Sequence, residues 1–155
     1  MRRQLDEKDL AILDALQRNG HLSHSELARM VGLAVSSVHD RVRKLVQSGI
    51  IAGWEARLSP AALGLDLLAF VYVLMDKPES SPAFLDVVSQ VPEVQECHHI
   101  AGDWNFLLKI RVRNTSEFEA LLTNRLKSVP GVMRTHTVIS LTSHKDTAAL
   151  PVRSL

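Results

Sequence analysis

The chain has 155 residues, 46% of them hydrophobic and 23% charged, which describes a folded globular protein of one or two small domains and excludes a disordered one. Its lone Cys97 excludes an internal disulfide or a thiolate cluster, and its longest apolar run, Leu67–Met75, falls far short of the roughly 20 residues of a membrane span. The net charge is +1; residues 1–60 hold nine Lys/Arg against seven Asp/Glu (+2) and the remainder nine against ten (−1), so affinity for a polyanion has to come from where the charges sit.

The first predicted helix is announced by Asp6 as N-cap, with Leu5 and Leu10 spaced as a hydrophobic staple. Leu10, Ile12, Leu13 and Leu16 form its apolar stripe, and Asn19-Gly20 ends it. A second helix opens with the capping box Ser23/Glu26 and the staple Leu22/Leu27. It points Leu27, Ala28 and Val31 inward and breaks at Gly32-Leu33-Ala34. In the third, which closes at Gly49, Val38, Val42 and Leu45 share one face. Ser36, Ser37, Asp40, Arg43 and Lys44 point away from it, with His39 and Arg41 on the flanks.

Two short helices about a tight glycine turn make a helix-turn-helix pattern. Hydroxyls at the start of the third helix, with cations farther along, suit a helix that meets base edges and phosphates in a DNA groove. The plainer reading is a solvated face with an Asp40–Lys44 pair; three capped helices with short turns favour DNA.

From residue 50 to 58 the period changes. Trp54, Ala56 and Leu58 alternate with Glu55 and Arg57, which predicts a strand, either a wing or a hinge strand that pairs with a second subunit. Ser59-Pro60 starts a short helical turn that Gly64 closes. The rest repeats one unit. Leu67–Met75 is a strand, Ser81-Pro82 begins a helix with Phe84, Leu85, Val88 and Val91 inward, and a strand runs from Val94 to Ile100. A strand from Trp104 to Val112 follows, then a helix from about Ser116 with Glu119 completing a capping box, then a strand ending near Leu141. The order βαββαβ is a ferredoxin-like sandwich, giving an α+β chain with a helix-turn-helix (winged-helix-like) N-terminal domain. Two helices cover one face of such a sheet, so the other face needs a partner, most simply a second copy. The predicted organisation is residues 1–49 for the first domain, 50–64 for the connection, 65–143 for the sandwich and 144–155 for a loosely held tail broken by Pro151.

Several stretches resemble the Lrp/AsnC (feast/famine) family of transcription regulators. They are Leu5-Asp6, Asp9, Ile12-Leu13, Glu26-Leu27-Ala28, Val31-Gly32-Leu33, Gly49-Ile50-Ile51, Leu58-Ser59-Pro60, Gly102-Asp103-Trp104-Asn105 and Pro130-Gly131-Val132 with Thr135 and Thr137. The resemblance implies a DNA-binding head and a regulatory domain that dimerises through its sheet and assembles further, often to octamers. It also implies a small effector, usually an amino acid, bound between regulatory domains. Carried onto this sequence, the DNA-contacting set is Ser36, Ser37, His39, Arg41, Arg43, Lys44, His24 and Arg2, and the effector set is Gly102, Asp103, Trp104, Asn105, Thr135 and Thr137.

Two departures matter. The family's Ser-Pro at the start of the third helix is Ala34-Val35 here, so the helix begins either at Val35 or at Ser36–Ser37 with Ser36 as cap and Ser37 toward DNA. The family's Gly-Asp-Tyr-Asp is Gly102-Asp103-Trp104-Asn105, so either Asp103 alone meets a ligand ammonium, or the effector differs, or none binds.

The rival readings are a siroheme-decarboxylase-like enzyme on the same two-domain plan and a ligand-sensing or assembly module without DNA binding. His98 and His99 point to opposite faces of a strand, which disfavours a metal site, and Arg41, Arg43 and Lys44 disfavour the enzyme. The expectation is a cytoplasmic, non-enzymatic regulator with no cofactor, no metal, no signal peptide and no membrane partner.

Overall fold

The computed structural model describes residues 4–154. The chain divides into two compact units: Met1–Arg57 together with Lys145–Leu155, and Leu58–His144.

The first unit, the head, holds α1 (Glu7–Arg18), α2 (His24–Val31) and α3 (Val35–Gln47). Asp6 caps α1 by accepting from the Asp9 N–H at 2.8 Å. Ser23 and Glu26 form the expected reciprocal box, Ser23 N–H donating to Glu26 Oε2 at 2.7 Å and Glu26 N–H to Ser23 Oγ at 3.2 Å. Gly32 stops α2 in the left-handed region (φ 67°), which a Cβ would disfavour, and the Lys8 ammonium bonds the carbonyl of Val31 where the helix dipole is negative. Ile12, Leu16, Leu27, Val31, Val38 and Leu45 close the core.

Residues 50–58 take no strand form within the single chain, where the segment has no ladder partner among the described residues; the expected hinge strand would take its partner from a second subunit. Trp54 of this segment lies over Gly20, where an added Cβ would come within 3.5 Å of the indole. The tail is not loose, contrary to the prediction. Val152 is buried in the three-helix core and Gln17 bonds the backbone of Leu150.

In the second unit, Ser59 Oγ accepts from Ala62 N–H and a 3-10 turn Ala61–Leu63 ends at Gly64, as the sequence predicts. The strands are β1 (Leu67–Met75), β2 (Val94–His99), β3 (Phe106–Val112) and β4 (Val132–Ile139), in antiparallel order β2-β3-β1-β4. The helices are α4 (Ser81–Ser89) and α5 (Thr115–Leu121), the latter running into a π-helical turn, Leu122–Leu126. Val71, Val73, Leu108 and Ile110 meet Phe84, Phe118 and Leu126 in the core on one face. The cap of α5 is Asn114, which accepts from Glu117 N–H at 3.0 Å, rather than the predicted Ser116/Glu119 box.

The opposite face carries no helix among the described residues. Its cross-strand rows read His98–Leu107–Tyr72–His136 and Glu96–Lys109–Phe70–Val138. No helix among the described residues is long and apolar enough to cross a membrane.

Candidate nucleic-acid interface and effector turn

The third helix starts at Val35. Ala34 stands at the N-cap in an extended conformation (φ −66°, ψ 148°) and no side chain caps the helix. Ser36 therefore does not serve as cap, and Ser36 and Ser37 are both exposed in the first turn. His39, Arg43 and Lys44 follow on the exposed surface. His24, the first residue of α2, meets His39 edge to face, with ring centroids 5.1 Å apart and planes at 88°. Asp40 pairs with Arg43 at 2.9 Å, not with Lys44 as the sequence spacing predicts, so Arg43 is presented next to a carboxylate that partly offsets its charge. Arg2 lies outside the described residues.

Arg41 corrects the sequence reading. Its guanidinium turns inward and donates to Asp6 Oδ2 at 2.7 Å and to the buried carboxylate of Asp9 at 2.8 Å. Hydrogen bonds to Asp9 and then Asp6 raise its pKa further, and Asp6 is held below the usual carboxylate range by the Asp9 backbone N–H and then by Arg41. This cation ties α3 to the start of α1, and the exposed cations of α3 are Arg43 and Lys44.

The effector residues are not gathered in one place within a single chain. Gly102 has φ 125° and open space where a Cβ would stand, and Asp103 is exposed beside it. Asn105 is occupied: its Oδ1 accepts from Met75 N–H at 2.7 Å, at the bulge where β1 slips against β4. Its own backbone N–H donates to Val73 O and its carbonyl accepts from Ile100 N–H, both at 2.9 Å. An acceptor oxygen is what this position supplies, and either a carboxylate or a carboxamide provides it.

Trp104 packs on the open sheet face of the single chain. Its ring stacks with His136 (6.1 Å between centroids), lies near Tyr72 (6.0 Å) and is covered by the Arg134 guanidinium at 4.7 Å. Thr135 and Thr137 stand opposite Val73 and Val71, on the helix-covered face, with β1 between them and the 102–105 turn. Tyr72, Arg134 and His136 escaped the sequence reading; their signal is the period-2 pattern that sets them on the face opposite the buried Val71 and Val73. Among the described residues no three His, Cys, Asp or Glu side chains cluster in a way that could hold a metal ion.

Comparison with known proteins adds to this geometry. Residues 5–52 match the family profile described as winged helix-turn-helix DNA-binding, and residues 68–150 the one described as Lrp/AsnC ligand binding domain. The chain is similar to the HTH-type transcriptional regulator FL11 of Pyrococcus horikoshii, 38% identical over 99% of this chain and 100% of that one. It is 36% identical to the leucine-responsive regulatory protein of Escherichia coli K12, over 98% of this chain and 94% of the relative. A Neisseria meningitidis transcriptional regulator solved in complex with L-methionine superposes with a TM-score of 0.94 at 31% identity, covering 97% of this chain and 99% of the other.

Proposed function

The chain belongs to the Lrp/AsnC family of transcription regulators, with a helix-turn-helix DNA-binding domain, and on that premise we propose which residues read DNA and which meet an effector. Ser36, Ser37, His39 and Arg43 approach base edges and adjacent phosphates, while Lys44, His24 and Arg2 contact the backbone. The observation that carries this reading is the surface of α3. With Arg41 folded inward, the exposed side chains of its first turns are Val35, two hydroxyls, an imidazole and Asp40, followed by Arg43 and Lys44. No side chain caps the first turn of α3, and partial positive charge at a helix N-terminus suits a phosphate.

The effector is an amino acid. The support is the relative solved with L-methionine and the exposed Gly102-Asp103 turn, whose backbone N–H groups suit a carboxylate and whose Asp103 suits an ammonium. Asn105 is already bonded to Met75, which leaves Asp103 as the anionic partner. The protein acts in the cytoplasm as a homodimer built on the open sheet face, and dimers assemble further to an octamer. It performs no catalysis of its own; its similar relatives are named as transcriptional regulators.

Footprinting of the region upstream of the protein's own gene tests the DNA reading: protection at low salt that fades as salt rises is expected, and no protection at low salt sinks it. Thermal shift against the twenty amino acids tests the effector. A hit lost in Asp103→Ala, with DNA binding kept, supports the assignment, and loss of both functions together marks the turn as structural.

A further inference from the structure

Outside the DNA-facing helix and the sheet face, the polar contacts that join the most distant parts of the sequence lie between α1 and the C-terminal segment. Gln17 clasps the backbone of Leu150 from both sides: Nε2 donates to the Leu150 carbonyl at 2.8 Å and Oε1 accepts the Leu150 N–H at 2.9 Å. A side-chain amide used in this way reads the peptide unit as a neighbouring strand would. Pro151 follows, needing no hydrogen-bond acceptor and fixing φ, so the segment loses little entropy on docking. Val152 then enters the three-helix core and is 9% exposed. Arg153 closes the seam, its Nε donating to Asp14 Oδ2 at 2.6 Å. Asp14 is itself only 5% exposed, and its other oxygen takes Arg18 at 3.2 Å.

We infer that this side of α1 is a peptide-docking site, and that its ligand is the chain's own C-terminal segment, residues 150–153. Three kinds of recognition converge on a short peptide: a backbone clasp, an apolar side chain in the core and a guanidinium on a buried carboxylate. An open groove of about 230 Å³ runs along the seam beside Asp14, Gln17, Arg18 and Pro151.

The start of the C-terminal segment is held within the same unit, where the Arg57 guanidinium donates to the carbonyl of Asp146.

Hydrogen exchange on the full chain tests this without DNA or amino acid. Residues 147–153 and the last two turns of α1 are expected to be protected. In a Gln17→Ala, Arg153→Glu double variant the tail loses protection and the end of α1 opens about tenfold or more faster. A chain ending at His144 shows the same fast exchange, and a synthetic peptide of residues 145–155 restores slow exchange in trans while the same peptide carrying Arg153→Glu does not. Equal exchange in α1 for the wild type and the double variant overturns the proposal. If the shortened chain does not fold, the double variant alone decides. Failure of the full chain to bind DNA would count against the proposed function and leave this docking standing.

Discussion

Arg41 and Arg43 sit two residues apart on α3 in different surroundings, Arg41 on a buried carboxylate and Arg43 on an exposed one. Arg41 bridges Asp6 and the buried Asp9, groups 35 and 32 positions away in sequence, and no local pattern in the sequence shows that link. Arg41→Ala leaves the Asp9 carboxylate without this guanidinium in a buried site, and because Arg41 is partly exposed the expected loss is about 1–3 kcal/mol of head stability. Arg43→Ala removes only an exposed i,i+3 pair, so stability stays within about 0.5 kcal/mol while DNA binding weakens by about 1–3 kcal/mol. Denaturant titration and DNA titration of the two variants separate the roles; a stable Arg41→Ala head would refute the buried bridge. Gly131 is a second position fixed by its surroundings. It has φ 94°, and an added Cβ would come within 2.3 Å of Ser80 Cβ and 2.9 Å of Asp76 Oδ1. Gly131→Ala is expected to destabilise the sheet unit by about 2 kcal/mol or more, partly relieved by Ser80→Gly, on thermal denaturation. Asn105 belongs with these: its acceptor role depends on a bulge at Met75 that the sequence does not announce.

Among the elements, those with short-range signals were legible. The caps of α1 and α2 are bonds between residues three apart, and both appear in the sequence as spacing. The cap of α5 failed by the same rule, since Ser116/Glu119 and Asn114/Glu117 both fit the pattern and the structure uses the earlier one. The strand expected for residues 50–58 is not formed within one chain: alternation selects residues for a pleated surface but cannot supply the neighbouring strand, which for a hinge strand comes from a second subunit. For α3 the sequence left two starts open, and the backbone decides for Val35. Ala34 already has the extended φ and ψ that a residue before proline requires, and Val35 has an N–H that needs no helical acceptor. Ala34→Ser with Val35→Pro therefore fits without moving the backbone. It should stabilise the head by about 1 kcal/mol through the restored cap, read as a higher denaturant midpoint at unchanged slope. A lower midpoint would show that the first turn is held in place by something other than its cap.

At the scale of the molecule, βαββαβ order and a one-sided core were readable because hydrophobic period reports which face is buried. The docking of the tail was not, because its partners lie 133 and 139 positions away. The open sheet face lies between these cases. Its existence follows from two helices and four strands, but its chemistry emerges only from the register, which lines up His98, Leu107, Tyr72 and His136 across all four strands. Leu107 is at the middle of that row and its side chain points away from the helix-side core. Leu107→Glu therefore places a carboxylate in the proposed dimer surface while leaving the folded unit intact. Burying it against a second copy would cost several kcal/mol, and each 1.4 kcal/mol raises the dimer dissociation constant about tenfold. Sedimentation of the variant should show monomers at concentrations where the wild type is associated, with thermal unfolding of the sheet unit within a few degrees of wild type. Unchanged association would place the interface elsewhere than on this face.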